Sequence, residues 1–214
     1  RKESSAASDV YKRQHADLAV VWTGADVATD QGDVVARLTS QIAGGTEFIV
    51  PMGERADPQT VQFGNHVDTE PVGVLAWEAT RIASGIPRIG LDTDARTIPN
   101  EIGLYATHLD KGCYRGQETV ARVHNLGRPP RRLTMLMLDG SDAELPDPGA
   151  SVILEGRKVG QLGGVAMHHE LGPVGLALLK RNVSVDSVLT VDGVAASQTI
   201  LVDPEVGLHV RPQL

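Results

Sequence analysis

Cysteine and aromatic residues are scarce in this sequence, and each scarcity excludes a class of protein. The chain has 1 cysteine, Cys113, so it cannot form an intramolecular disulfide. Aromatic residues make up 3% of the chain, which argues against broad nucleic-acid binding by base stacking. No apolar run approaches the roughly 20 residues that span a bilayer. We therefore expect a protein of the reducing cytoplasm that does not act in the membrane.

Several catalytic signatures are also missing. The sequence has no G-x-S-x-G, Walker A or dinucleotide-binding glycine motif, which argues against a serine hydrolase, a P-loop NTPase and a Rossmann dehydrogenase. The run His168-His169-Glu170 does not match the zinc motif HExxH. His108, Cys113 and His124 fit no common zinc spacing. We therefore predict no metal site.

The cysteine lies in a segment rich in glycine and positive charge. Residues 111–118 read KGCYRGQE, so that Lys111 and Arg115 bracket the thiol and Arg122 follows. Nearby cations favour the thiolate form, and the two flanking glycines let the backbone present the side chain in a loop. The alternative is an inert thiol, since free cysteine is among the most buried residue types. The residues alone leave both interpretations open.

Charge is unevenly distributed around this segment. Residues 111–132 hold six Lys or Arg and one Glu, a local charge of +5, while the chain carries −7 in total, so the remainder sums to −12. A basic segment on an acidic background attracts anions, and arginine pairs bidentately with carboxylates. A solvated basic loop without a ligand is the alternative interpretation.

The run KGCYRGQETVAR, residues 111–122, resembles the signature of the YgfZ-type folate-binding proteins, relatives of the glycine-cleavage aminomethyltransferase. Upstream, RIASGIPR at 81–88 and IPNEIGL at 98–104 are similar to two further family segments. Downstream, the carboxy-terminal domain of the family is matched by GRPPRRL at 127–133, the Leu145-Pro146 turn and HELGP at 169–173. The aminomethyltransferases proper have a different octapeptide, without the cysteine.

The resemblance implies a tetrahydrofolate-binding accessory protein for iron–sulfur cluster assembly or repair, with a possible effect on transfer-RNA modification. Cys113 would be the reactive thiol, with Lys111 beside it and Glu118 orienting the loop or moving a proton. The implied folate contacts are Tyr114, Arg115, Gln117, Arg122, Arg81 and Glu101. The expected partners are iron–sulfur client or assembly proteins, and the chain is expected to be a monomer. Transfer RNA is not expected to be a direct tight ligand.

Whether the protein is an enzyme is left open. The alternative function is one-carbon transfer from tetrahydrofolate, as in the aminomethyltransferases. Two departures from the family bear on folate. Ala83 stands where folate-dependent relatives have a carboxylate that hydrogen-bonds the pterin, and alanine cannot accept such a bond. Leu162-Gly163-Gly164 stands where relatives commonly have V-T-S.

We predict an α+β fold, with a partial aminomethyltransferase-like folate-binding body followed by a small antiparallel β-barrel. Residues 1–14 are polar and aperiodic and resemble a non-native scar. A partial α/β folate-binding domain would span 15–108, and the cysteine-motif loop or linker would span 109–127. The barrel would occupy 128–214. Because family members are longer at the amino end, we expect the chain to be truncated there.

Periodicity and turn residues predict the individual elements. Strands are expected at 18–22 and 46–50, and helices over 33–42 and 72–84, the second ending at Gly85. Asp192-Gly193 indicates a two-residue hairpin turn. The barrel strands are expected at 133–138, 151–154, 158–162, 174–179, 187–191 and 199–202.

Overall fold

Contacts divide the chain into two units, residues 1–72 and 73–214. The computed structural model describes residues 18–23, 36–42, 44–51, 73–105, 112–126, 128–141 and 144–205. Residues 1–14 lie outside the described part, and the domain bounds predicted from the sequence stay a prediction. Each unit is described by itself.

The described part of the first unit is a three-stranded antiparallel sheet. Its strands are β1 (Leu18–Thr23), β2 (Ala36–Thr39) and β3 (Thr46–Pro51). β3 lies in the centre, with Val20 opposite Ile49 on one side and Leu38 opposite Glu47 on the other. The strands predicted at 18–22 and 46–50 are confirmed.

The helix predicted over residues 33–42 is wrong for the part that the structure describes. Residues 36–39 form β2, which pairs with β3. The apolar spacing of this segment fits a helix, but β3 supplies a ladder of backbone hydrogen bonds, and tertiary pairing overrides a weak local preference. Gly44, with a φ of 69°, then forms part of the turn into β3.

The second unit begins with a helix that the sequence predicts. Helix α1 spans Val74–Ala83, within the predicted range 72–84. A short 3₁₀ helix, Pro99–Ile102, and helix α2, Gln117–Leu126, follow it. Among the described helices, none has the length and apolar character needed to cross a lipid bilayer.

Helix α1 ends at a glycine. Gly85 has a φ of 70°, a left-handed conformation that favours glycine. Its N–H donates to the carbonyl of Ile82 at 2.9 Å, and the N–H of Ile86 donates to that of Arg81 at 3.2 Å. These two bonds form a Schellman motif, so the helix stops where the sequence predicts.

The strands between Arg131 and Ile200 form a closed antiparallel barrel, which confirms the predicted fold of this part. The barrel order is β4-β7-β6-β5-β8-β9, and β9 closes on β4. Each predicted barrel strand overlaps an observed one. The strands are β4 (Arg131–Leu138), β5 (Ser151–Leu154), β6 (Arg157–His168), β7 (Gly172–Lys180), β8 (Leu189–Val191) and β9 (Val194–Ile200).

The hairpin predicted at Asp192-Gly193 is also confirmed. It joins β8 to β9, with Val191 opposite Val194. Asp192 has a φ of 49° and Gly193 a φ of 88°. Two positive φ values are the requirement of a type I′ turn, whose twist matches that of the strands it joins.

Alternation along β4 builds two separate cores. Leu136 and Leu138 belong to the barrel interior, together with residues of the other five strands. Leu133 and Met135 face outward and pack with Ile82 of helix α1. Because successive side chains of a strand point to opposite faces, one strand fills the barrel and also holds the helix against it.

Arg132 is a buried cation on strand β4 of the barrel. Arg132 is 1% exposed and donates to the side-chain oxygens of Thr134 and Gln198 and to the carbonyl of Val183. Burial lowers its pKa below the ordinary value for arginine. Its Nε is buried without a hydrogen-bond partner, which carries a desolvation cost.

Replacing Gly160 with alanine should destabilise the barrel. The added Cβ would lie 2.5 Å from Leu179 Cδ2 and 2.6 Å from the backbone oxygen of Leu178. Overpacking of this kind costs roughly 1–3 kcal/mol, and we expect a loss of that size in the free energy of unfolding measured with urea. Gly112→Ala is the control, since a Cβ there meets nothing within 4 Å. Equal losses in both variants would contradict this account.

Candidate functional site

Cys113 lies on an exposed loop that leads into helix α2. Gly116 has a φ of 82° at the entry to the helix. Tyr114 N–H donates to Gln117 Oε1 at 3.2 Å, and Gln117 N–H donates back to the carbonyl of Tyr114 at 3.3 Å. This reciprocal pair resembles a capping box, and it fixes the loop on the first turn of the helix directly after the thiol.

The structure exposes the thiol and the charged groups that follow it. Cys113 is an exposed free cysteine, and Arg115, Glu118 and Arg122 are exposed as well. Tyr114 and Gln117 are half-buried, and Val120 and Val123 are the buried residues of this segment. Lys111 lies outside the described residues. The thiol is therefore not buried, and its reactivity stays a prediction.

Arg81, a predicted folate contact, is engaged inside the protein. Its side chain is 2% exposed and lies in salt bridges with Asp92 at 2.8 Å and Glu78 at 2.7 Å. It also donates to the carbonyl of Ile86. Glu78 in turn accepts from Arg88 at 2.5 Å. The four charges neutralise one another, as buried charges require.

Asp92 connects this cluster to the barrel. Its Oδ2 accepts from Arg81 at 2.8 Å and from the backbone N–H of Arg88 at 2.7 Å, and its Oδ1 accepts from Gly164 N–H at 2.5 Å. A Cβ on Gly163 would lie 2.3 Å from Asp92 Oδ1, and one on Gly164 would lie 2.6 Å from Arg81 Nη2. The glycine pair that departs from the family pattern therefore lets helix, loop and barrel approach closely.

Glu101, the other predicted contact upstream of the cysteine, lies in a second ionic cluster. It is fully buried and accepts from Arg131 Nε and Nη2, both at 2.9 Å, and from Ile98 N–H at 3.1 Å. Arg131 also donates to Asp94 at 2.7 Å and 3.1 Å. The hydrogen bonds that Arg131 donates to Glu101 and Asp94 raise its pKa above the ordinary value for arginine.

These clusters include residues that the sequence analysis missed. Asp92 lies 11 residues from its partner Arg81. Arg131 lies 37 residues from Asp94 and 30 residues from Glu101. No local spacing indicates pairs so distant in sequence. Among the described residues, no group of three or more His, Cys, Asp or Glu side chains is placed to hold a metal ion.

The described residues fit the acidic tail of a folate better than its pterin ring. Ala83, half-buried at the end of helix α1, offers no acceptor for the pterin N–H groups. Arg81 and Glu101 have side chains engaged with protein partners, so their folate-binding role stays a prediction that requires those pairs to open. Arg115 and Arg122 are exposed and can pair with carboxylates.

Comparison with known proteins finds a family match in the second unit and similar proteins of two kinds. The family described as CAF17, C-terminal beta-barrel domain, matches residues 131–201, which span β4 to β9. A chloroplastic protein of Arabidopsis thaliana named as a transferase is 37% identical over 93 residues, 43% of this chain and 21% of that protein. The tRNA-modifying protein YgfZ of Colwellia psychrerythraea is 36% identical over 80 residues, 36% of this chain and 24% of that protein.

The chain thus matches about a quarter or less of the length of these relatives. Among solved structures, the glycine cleavage system aminomethyltransferase T from Bartonella henselae is similar, with a TM-score of 0.56 and 18% identity. The match covers 76% of this chain and 47% of that chain. This likeness confirms the aminomethyltransferase-like fold predicted from the sequence.

Asp94→Asn should lower stability at neutral pH and lose that effect in acid. The hydrogen bond from Arg131 holds the pKa of Asp94 well below its ordinary value of 3.8. A lowered folded-state pKa stabilises the fold above pH 3.8, and that contribution is lost as pH falls below this value. Because the side chain is 52% exposed, we expect about 1 kcal/mol or less.

Urea unfolding of both chains from pH 7 down into the acid range measures this difference. Asp186→Asn, which removes an exposed carboxylate elsewhere in the barrel, is the control for the general effect of lost charge. A difference between Asp94→Asn and the native chain that stays constant with pH would contradict the assigned linkage.

Proposed function

We propose that this chain is a YgfZ-type protein, which its sequence motifs, the barrel-domain match and the similarity to the tRNA-modifying protein YgfZ support. The protein would be a folate-binding accessory factor that assists assembly or repair of iron–sulfur clusters through Cys113, with an effect on transfer-RNA modification. The observation that carries the proposal is the exposed free thiol on the loop before helix α2.

The chemistry of the loop supports a role for this thiol. Thiolate is a soft ligand that iron–sulfur chemistry prefers, and an exposed thiol can reach a partner protein without unfolding. Cys113 would bind iron of the cluster transiently as a thiolate, and the iron would be cargo. The exposed Arg115 and Arg122 would attract anionic groups to the loop.

A single alanine substitution tests the thiol. In bacterial cells that lack their own YgfZ relative, the native chain should raise the activity of an iron–sulfur enzyme and the level of thiolated transfer RNA. Cys113→Ala should abolish both gains without changing the amount of folded protein, since the side chain is exposed. Thr119→Ala, an exposed position in the same segment, is the matched control and should keep both gains.

Full gains with Cys113→Ala, or no gain with the native chain, would overturn the proposal. The alternative function is one-carbon transfer like that of the aminomethyltransferases, and a second assay tests it. Formation of methylenetetrahydrofolate from a glycine-cleavage donor, at the same rate with and without Cys113, would favour that alternative, because simple one-carbon transfer needs no thiol.

Ala83→Glu should strengthen tetrahydrofolate binding. Glutamate at the end of helix α1 would supply the carboxylate acceptor that folate-dependent relatives have there. Because hydrogen bonds to a charged group are strong, we expect the dissociation constant to fall about tenfold. Titration calorimetry measures this change. Ala83→Gln is the matched control, because it has the same size and no charge. Equal affinities of the two variants would exclude a pterin contact at this position.

A further inference from the structure

A cleft on the outside of the barrel lies apart from the cysteine loop. It has a volume of about 850 Å³, within the range of small-molecule sites. Residues 89–95 form one wall, and residues 158–163 of β6 form the other, with Leu178 and Lys180 of β7. All of these lining residues belong to the second unit.

Three cations lie in a row across neighbouring strands at this cleft. Arg131 of β4 stands directly opposite Lys180 of β7, and Lys158 lies on β6, the next strand of the barrel. Lys180 Nζ donates to the carbonyl of Lys158 at 3.1 Å, which places the two lysines side by side. Arg131 is neutralised by Asp94 and Glu101, and both lysines are exposed.

The two carboxylates that line the cleft, Asp92 and Asp94, already accept hydrogen bonds from the protein. Both oxygens of Asp92 accept from the protein, as do both oxygens of Asp94. The ammonium of Lys158 has no hydrogen-bond or ion-pair partner within the part of the chain that the structure describes, and Lys180 uses one of its three N–H groups. The cleft therefore presents ammonium donors next to carboxylates that are already engaged, which disfavours a cation and favours an oxyanion.

Apolar side chains complete the lining. Leu178 is 6% exposed and Leu91 is half-buried, and both border the cleft. Ile89, also a lining residue, is 91% exposed. A bound molecule that covers Ile89 would remove apolar surface from water, which is favourable.

We propose that this cleft binds a small organic anion whose phosphate or carboxylate group contacts Lys158 and Lys180 and whose apolar body packs against Ile89 and Leu178. The charge of the two lysines selects the anionic group, and the apolar lining excludes fully hydrated inorganic ions as the preferred ligands. Phosphate esters and carboxylic acids share this chemistry, and the probes below separate them.

Titration calorimetry of the full chain with phenyl phosphate, phthalate and inorganic phosphate tests the site. At least one aromatic anion should bind saturably and more tightly than inorganic phosphate. Tighter binding of phenyl phosphate assigns a phosphate ester, and tighter binding of phthalate assigns a carboxylate. Lys158→Ala and Lys180→Ala should each weaken the preferred probe about fivefold.

Arg157→Ala is the matched control. It removes an exposed cation next to Lys158 that does not line the cleft, and its affinity for the preferred probe should equal that of the native chain. If Arg157→Ala and Lys158→Ala weaken binding of the probe equally, the effect comes from the net charge of the protein, and the proposed site is wrong. Absence of saturable binding of both aromatic probes would overturn it as well.

Discussion

The carboxylate of Asp92 holds the second unit together. Through three hydrogen bonds it joins Arg81 of helix α1, the backbone of Arg88 and the backbone of Gly164 on the barrel. A buried carboxylate is stable only when its charge is balanced and its oxygens are filled, and this one meets both conditions. One side chain therefore links the helix, the loop that follows it and the barrel, and it adds to the apolar packing of Ile82 against Leu133 and Met135.

The position of Asp92 explains why this chain has glycine at residues 163 and 164. Relatives commonly have hydroxyl-bearing residues where this chain has Gly163 and Gly164. With the observed approach of Asp92 and Arg81, a Cβ at either glycine would overlap a charged group. Two glycines thus permit a closer contact between loop and barrel, and the same loop forms one wall of the external cleft.

The unit separates its polar chemistry into three places. Two ion pairs are saturated by protein partners: the buried pair of Arg81 with Asp92, and the pair of half-buried Arg131 with buried Glu101. The exposed loop carries the thiol of Cys113 with free charges around it. The external cleft carries Lys158 with unfilled donors. Saturated pairs stabilise a structure, whereas exposed or unfilled groups are available to ligands, and this distinction directs the proposals to Cys113 and to the cleft.

Local signals determined much of this protein from sequence alone. Gly85 and the Asp192-Gly193 turn require particular φ angles that few residues adopt, so they fixed a helix end and a hairpin. The octapeptide around Cys113 carried the resemblance to the YgfZ-type family without any structural knowledge. Tertiary structure alone decided the rest, because it depends on contacts between distant segments. It made a strand of residues 36–39 by pairing them with β3, and it placed Arg81 and Glu101 in buried ion pairs with partners 11 and 30 residues away.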